Sequence, residues 1–228
     1  MSAELLDSLR ARVKAIPPAD AGHDFSHILR VSTLTLDLFS QEVFTRFHRN
    51  SSNSEKWACL CAALLHDCVP IAKDSPLRKK SARLASEKAR EWLTELKWPE
   101  QVSEICEAIE DHSYSASLAS GRAPRSLLGE CLQDADRLEA LGAIGLYRTI
   151  ATGVSMGAQL FHPEDPWAEN RELDDKKYSI DHFFTKLLKL PETFRTRAAK
   201  NEATKRADYL RAFVVQLKYE LKSTPFGL

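Results

Sequence analysis

Apolar residues recur along this chain at intervals of three and four, and strand-type alternation is hard to find in it. The pattern predicts an all-helical fold, with helices over residues 3–16, 24–47, 55–66, 81–96, 99–112, 126–152, 180–188 and 192–221. The breaks between them have local causes. Pro17, Pro18 and Gly22 end the first helix, the polar run 49–54 ends the second, and Pro70 and Pro76 prevent continuation of the third, because proline removes a backbone donor. A loop is expected over 113–125. The segment 161–178, rich in Pro, Asp and Asn, is expected to be irregular. In the last helix Ala203, Ala207, Leu210, Val214 and Leu217 fall on one stripe, which reads as a packing face.

Size and composition narrow this picture. A chain of 228 residues suits one domain, read here as a motif core over 23–148 and a helical extension over 149–228 packed on it. With 43% hydrophobic and 28% charged residues it has the balance of a soluble globular protein rather than a disordered one. Lys plus Arg equals Asp plus Glu at 32 each, so any anion site must be local, and a nucleic-acid strand has no obvious basic track. Five cysteines, odd in number and mostly inside apolar runs, argue against a disulfide framework. The first helix lacks the apolar core of a signal peptide, and the longest apolar run, 58–65, is far shorter than a membrane span, so the expected location is the cytoplasm, away from membranes. A homodimer is compatible with the sequence, which shows no patch that would mediate it.

Within this frame a few polar residues stand where apolar ones are expected. His27 lies on the stripe of Val31, Leu34 and Leu38 and so points inward; alone, it reads as an ordinary core histidine. The third helix is apolar on all sides and ends in His66-Asp67, a doublet that needs a partner because burying a charge alone is costly. A similar doublet, His23-Asp24, opens the helix of His27, where Asp24 is placed to cap and His23 to line the same cavity. His112 ends the stripe of Val102, Ile105 and Ile109, as a phosphate contact, a proton donor or a histidine favoured by a helix C-terminus. Asp134 and Asp136 lie two apart and face opposite ways on a helix, so only one can enter the cavity directly. Periodicity slightly favours Asp134, nearer the arc of Leu127, Leu138 and Leu141, without deciding between them.

His27 followed by Arg30-Val31, the doublet His66-Asp67 after a small-residue apolar helix, His112, and the run ADRLEALGAIG at 135–145 together resemble the HD-domain superfamily of metal-dependent phosphohydrolases. The segments LRKKSARLASEKA and LDDKKYSIDHFFTKLLKLP are similar to its bacterial phosphohydrolase branch, which includes nucleotide pyrophosphohydrolases. The resemblance implies an HD-type helical bundle with extra C-terminal helices and one divalent ion on His27, His66, Asp67 and Asp136. Asp134 then becomes a catalytic or supporting group. Cys68 follows the doublet where related sequences carry an aliphatic residue. Two imidazoles and two carboxylates suit an open six-coordinate ion, with Mn²⁺ preferred and Mg²⁺, Ni²⁺, Co²⁺ or Fe²⁺ as alternatives to closed structural zinc.

The substrate so implied is a small-molecule phosphate ester or anhydride, with a nucleotide foremost. Asp67, His112 and Asp134 are the candidates for orienting the attacking water and moving protons. Arg30, Lys73, Arg78, Lys79, Lys80 and Arg137 are the candidates for holding phosphate, with Arg83 nearby, although most charges in such a run are solvated. Phe25, Tyr114, Tyr147 and Phe183 are candidate base-stacking rings whose ordinary role is core packing. The segment 174–182 reads as a packed corner in preference to a lid. The competing functions are a phosphodiesterase for cyclic or signalling nucleotides and a non-catalytic nucleotide-binding module.

Overall fold

The computed structural model describes residues 3–18, 24–71, 75–98, 101–113 and 123–223. Among them lie nine α-helices: α1 (Ala3–Lys14), α2 (Phe25–Phe47), α3 (Asn53–Leu65), α4 (Ser81–Glu95), α5 (Val102–Asp111), α6 (Leu127–Leu138), α7 (Gly142–Ser155), α8 (Asp181–Thr185) and α9 (Arg197–Ser223). Two 3₁₀ segments, Arg78–Lys80 and Leu187–Thr193, join them. The described residues hold no β-strand beyond an isolated bridge between Gln159 and Tyr178. The all-helical expectation holds. No described helix is long and apolar enough to cross a membrane.

The chain divides into two compact units, residues 1–137 with 195–199, and residues 138–194 with 200–228. The first unit carries the motif residues His27, His66, Asp67, His112 and Asp136 and takes in residues 195–199 as well.

In the first unit α3 is the central element. Ala58, Cys59 and the whole run from Cys61 to Leu65 are buried, as an all-round apolar helix requires. Its start is fixed by a reciprocal cap: Glu55 N donates to Ser52 Oγ at 3.2 Å and Ser52 N donates to Glu55 Oε2 at 2.7 Å. Helix α4 packs with an alanine face, Ala82, Ala85 and Ala89, followed by Leu93, and Ser86 Oγ donates to Cys106 O at 2.7 Å. All five cysteines are free and buried. Burial pushes the Cys68 thiol up to about 12, which makes it inert.

Arg49 beside Glu55 holds that carboxyl down at about 2. A depressed carboxyl stabilises the fold above its unfolded value near 4.5, and the contribution is lost as pH falls from there toward 2. Because Arg49 is half-exposed, at 49%, about 1 kcal/mol is expected after solvent screening. Glu55→Gln retains the acceptor for Ser52 N. The stability difference between wild type and Glu55→Gln, from urea titrations, should therefore be about 1 kcal/mol at pH 7 and vanish near pH 2.

The second unit departs from expectation where backbone geometry overrides period. The single helix predicted over 126–152 is broken: Leu141 is extended and Gly142 takes φ +70° before α7 begins. Its last helix starts at Arg197 rather than 192, because the 3₁₀ segment holding Pro191 ends at an extended Phe194. The irregular reading of 161–178 holds. Arg171 grips Asp181 with both guanidinium nitrogens, at 2.5 and 2.8 Å, and Asp174 N donates to the same carboxylate at 2.7 Å. His182 Nδ1 and Thr185 Oγ1 each lie 2.9 Å from Asp175 Oδ2, so 174–182 forms a packed corner.

Gly145 sits so close to the turn before it that a Cβ there would lie 2.3 Å from both the carbonyl carbon and oxygen of Ala140. Backbone cannot yield as a side chain does. Gly145→Ala should cost about 3 kcal/mol, read as a lower urea midpoint with an unchanged slope.

Candidate metal centre

Four helices of the first unit bring five polar groups, His27, His66, Asp67, His112 and Asp136, toward one another. Asp24 caps α2, its Oδ1 accepting from His27 N at 3.0 Å, and this fixes the turn that carries His27. His66 and Asp67 follow directly on α3, His112 directly on α5, and Asp136 stands near the end of α6. Gln133, one turn earlier on α6, donates to the carbonyl of Asp111 at 2.9 Å, which ties α6 to the residue before His112.

His66 and His112 are built alike. His66 Nδ1 lies 2.7 Å from Ala63 O and His112 Nδ1 lies 2.5 Å from Ile109 O, each three residues back. A carbonyl oxygen only accepts, so both Nδ1 atoms carry the proton and both Nε2 atoms present a lone pair. The rings meet edge to face, with centroids 5.4 Å apart for His27 and His66 and 5.1 Å for His66 and His112. Burial, then the neighbouring His66, lowers the pKa of His112 against the pull of Asp67 and Asp136, which keeps the ring neutral.

His66 Nε2 is fully buried and accepts no hydrogen bond among the described residues. It faces Asp67 Oδ2 at 3.7 Å and Asp136 Oδ1 at 4.0 Å, while His27 Nε2 lies 3.5 Å from the same Asp136 oxygen. A lone pair opposed by two carboxylate oxygens is repulsive unless a cation stands among them. Two sets of possible ligand atoms, His27–His66–Asp136 and His66–Asp67–His112, each lie within 4.8 Å of one another and share His66. Either set offers the nitrogen and oxygen donors that suit a divalent ion. Both histidines deepest in the cluster are 0% exposed, whereas the side chains of Asp67 and Asp136 are 28% and 30% exposed, so the carboxylates form its open side.

The chain matches the HD domain family over residues 24–141. It belongs to that family. An HD-superfamily hydrolase from Bacillus thuringiensis is 31% identical to it and superposes with a TM-score of 0.69 over 97% of this chain and 98% of that one. The uncharacterized protein YpgQ of Bacillus subtilis is 24% identical over 216 residues, 94% of this chain and 93% of its own. The crystal structure of YpgQ in complex with ADP shares the fold at a TM-score of 0.63, over 95% of each chain. At family level the chain is an HD-superfamily hydrolase.

The other predicted site residues scatter. The structure does not bring Asp134 to the cluster. Fully buried, it accepts from Arg195 N at 3.0 Å, from Thr196 N at 2.7 Å and from Thr196 Oγ1 at 2.9 Å. Arg137 is 5% exposed and its charge acts on Asp134. Arg30 donates to Ser26 Oγ at 3.0 Å, beside the Asp24 cap. Arg83 is paired with Glu87 at 2.9 Å on the surface, and Lys79 and Lys80 are exposed. Of the aromatic candidates Phe183 is 0% exposed and stacks on Phe213, a core role, and Tyr147 is exposed on α7. His23, Lys73 and Tyr114 lie outside the described residues.

Sequence reasoning missed a pocket of about 550 Å³, counted with its open mouth, that shares Asp67 with the cluster. Arg78 and Phe25 line it together with Asp24 and the end of the first helix. Pro17 and Pro18, read only as a helix stop, also line it, and no local signal in the sequence marks them as a wall.

Proposed function

We propose that this protein is a metal-dependent phosphohydrolase acting on nucleotides, of the nucleoside triphosphate pyrophosphohydrolase type. The observation that carries the reading is the His66 ring, held by Ala63 O with its buried Nε2 lone pair turned onto two carboxylates, an arrangement that calls for a cation. His27, His66, Asp67 and Asp136 would hold the ion. When bound, a divalent ion supplies Lewis acidity to a phosphoryl oxygen and eases deprotonation of the attacking water.

The chain's own residues divide the remaining work. His112 has Nδ1 committed to Ile109 O, so its Nε2 accepts and suits taking a proton from water; giving one to a leaving group would need a second proton first. Asp67 lies at once in the cluster and on the pocket wall, where it orients water toward a bound phosphate. Arg78, half-buried in the same wall and held by its Nη1 bond to Ile71 O at 3.1 Å, contacts the phosphate. Asp134 positions the backbone at 195 and 196 and takes no part in the proton transfers. The nucleotide assignment is supported by the pocket beside the ligands and by YpgQ, which was crystallised with ADP.

The test is to purify the chain, measure bound metal, and follow Mn²⁺-supplemented hydrolysis of nucleoside mono-, di- and triphosphates. Pyrophosphate release from triphosphates, lost on chelation and restored by Mn²⁺, is the expected result. Ring opening of a cyclic nucleotide instead would assign the phosphodiesterase chemistry, and metal binding with no turnover of any nucleotide would leave a binding module.

A further inference from the structure

The pocket beside Asp67 is lined by more apolar side chains than a phosphate requires. We propose that it seats the heteroaromatic base and sugar of the substrate, and so makes the centre selective for nucleotides over phosphates that lack an organic group. This rests on the phosphohydrolase reading for the chemistry, but not for the binding itself.

Three stretches of the first unit form the apolar walls. Val13 and Ile16 come from α1 and the turn after it, Phe25 and Ile28 from the first turn of α2, and Val69 and Ile71 from the chain after the doublet. A phosphate group gains nothing from such a surface, whereas a planar base loses unfavourable hydration against it and finds the half-buried Phe25 ring for contact.

The polar groups in these walls sort by what each can still bond. Asp24 uses one oxygen, Oδ1, for both Ser26 Oγ at 2.7 Å and His27 N at 3.0 Å. Its Oδ2 takes no hydrogen bond among the described residues and is left to accept from sugar hydroxyls or an exocyclic amine. Arg78 spends Nη1 on Ile71 O and pairs with no carboxylate among the described residues, so its remaining N–H groups are left for an anion. Asp67 joins the pocket to the cluster. Acceptor, apolar wall, cation and a candidate metal ligand line one pocket, the kinds of group that the sugar, base and phosphates of a nucleotide require.

Two pocket variants of the full-length, Mn²⁺-loaded protein test this. Val69→Trp fills the pocket from a half-exposed position, and Phe25→Ala removes one wall. KM and kcat are measured for the common ribo- and deoxyribonucleoside triphosphates and for inorganic tripolyphosphate, used as a competitive inhibitor if it is not cut. Val69→Trp should raise the nucleotide KM about tenfold or more, as a misfit in an apolar pocket does. Phe25→Ala should act in the same direction, with tripolyphosphate changed by less than about twofold in both. Parallel changes for nucleotide and tripolyphosphate, or no change for either, would overturn the proposal. If the wild type hydrolyses none of them, the phosphohydrolase reading fails separately, and equilibrium dialysis of ATP and dATP against the Mn²⁺-loaded protein decides the pocket. Binding weakened by Val69→Trp upholds it; absent or unaffected binding overturns it.

Discussion

Asp136→Ala is expected to abolish both metal retention and phosphate hydrolysis while leaving the helices in place. Asp136 Oδ1 lies 3.5 Å from His27 Nε2 and 4.0 Å from His66 Nε2, so it is the only described carboxylate oxygen recorded close to both buried imidazoles. Its removal leaves two imidazoles and Asp67, too few anionic ligands for a hard divalent ion. Losing a group that merely supports a ligand costs ten- to hundredfold in metal affinity, and losing the ligand itself should cost more than about a hundredfold. The side chain is 30% exposed and borne near a helix end, so truncation opens no core cavity. Thermal unfolding with and without Mn²⁺ separates the two effects. Wild type at about a hundred times its Kd gains about 2.7 kcal/mol, whereas Asp136→Ala gains none and melts close to the wild-type apo protein. A variant that keeps the Mn²⁺-induced shift would remove Asp136 from the ligand set.

How far these residues were legible depends on the range of the interaction that places them. His27, His66 and His112 were readable because each sits on a helical stripe or at a helix end, and three or four residues of local sequence fix where such a side chain points. The helices themselves followed from the same short period. Asp134 and Asp136 were not separable in this way, since both flank the apolar arc of α6 and periodicity even favoured the one that turned away. What decides between them is the backbone at 195 and 196, which claims Asp134 from some sixty residues downstream and leaves no mark in the sequence around it. The break at Gly142 has a similar origin. An apolar run with good helical spacing continues through 139–145, yet the chain turns there through a positive φ that spacing does not encode. The pocket was invisible because its walls come from four separate segments, and most residues in it have a sufficient local explanation as a stop, a cap or a stripe.

Asp134→Ala should in turn be the most destabilising change near the site, about 3 kcal/mol, with the metal centre retained in whatever fraction stays folded. Three donors converge on this carboxylate: the backbone N–H groups of Arg195 and Thr196 and the hydroxyl of Thr196. They precede α9, whose opening turn is held from the other side by Glu42, Oε1 of which accepts from Arg197 N at 3.0 Å and Ala198 N at 3.3 Å. Two buried carboxylates thus serve the free N–H groups at one helix start. Truncation leaves those at Asp134 without an acceptor, and each unsatisfied buried donor costs about 1–3 kcal/mol. The charge itself is not the asset. Burial raises the pKa of Asp134 above the ordinary carboxylate value, although the bonds from Thr196 and Arg195 and the nearby Arg137 pull it down. With a folded pKa above the unfolded one, ionisation of Asp134 lowers stability as pH rises through that interval, and its removal should flatten this part of the profile. Asp134→Asn separates acceptor from charge: it presents one oxygen and one NH₂ to three donors, so it should recover only part of the loss. Urea titrations of both variants, read beside Mn²⁺ binding, check the assignment. A loss of metal affinity in Asp134→Asn at unchanged stability would return Asp134 to the reacting side of the helix, and a loss of stability at unchanged affinity is the result that its bonds to Arg195 and Thr196 require.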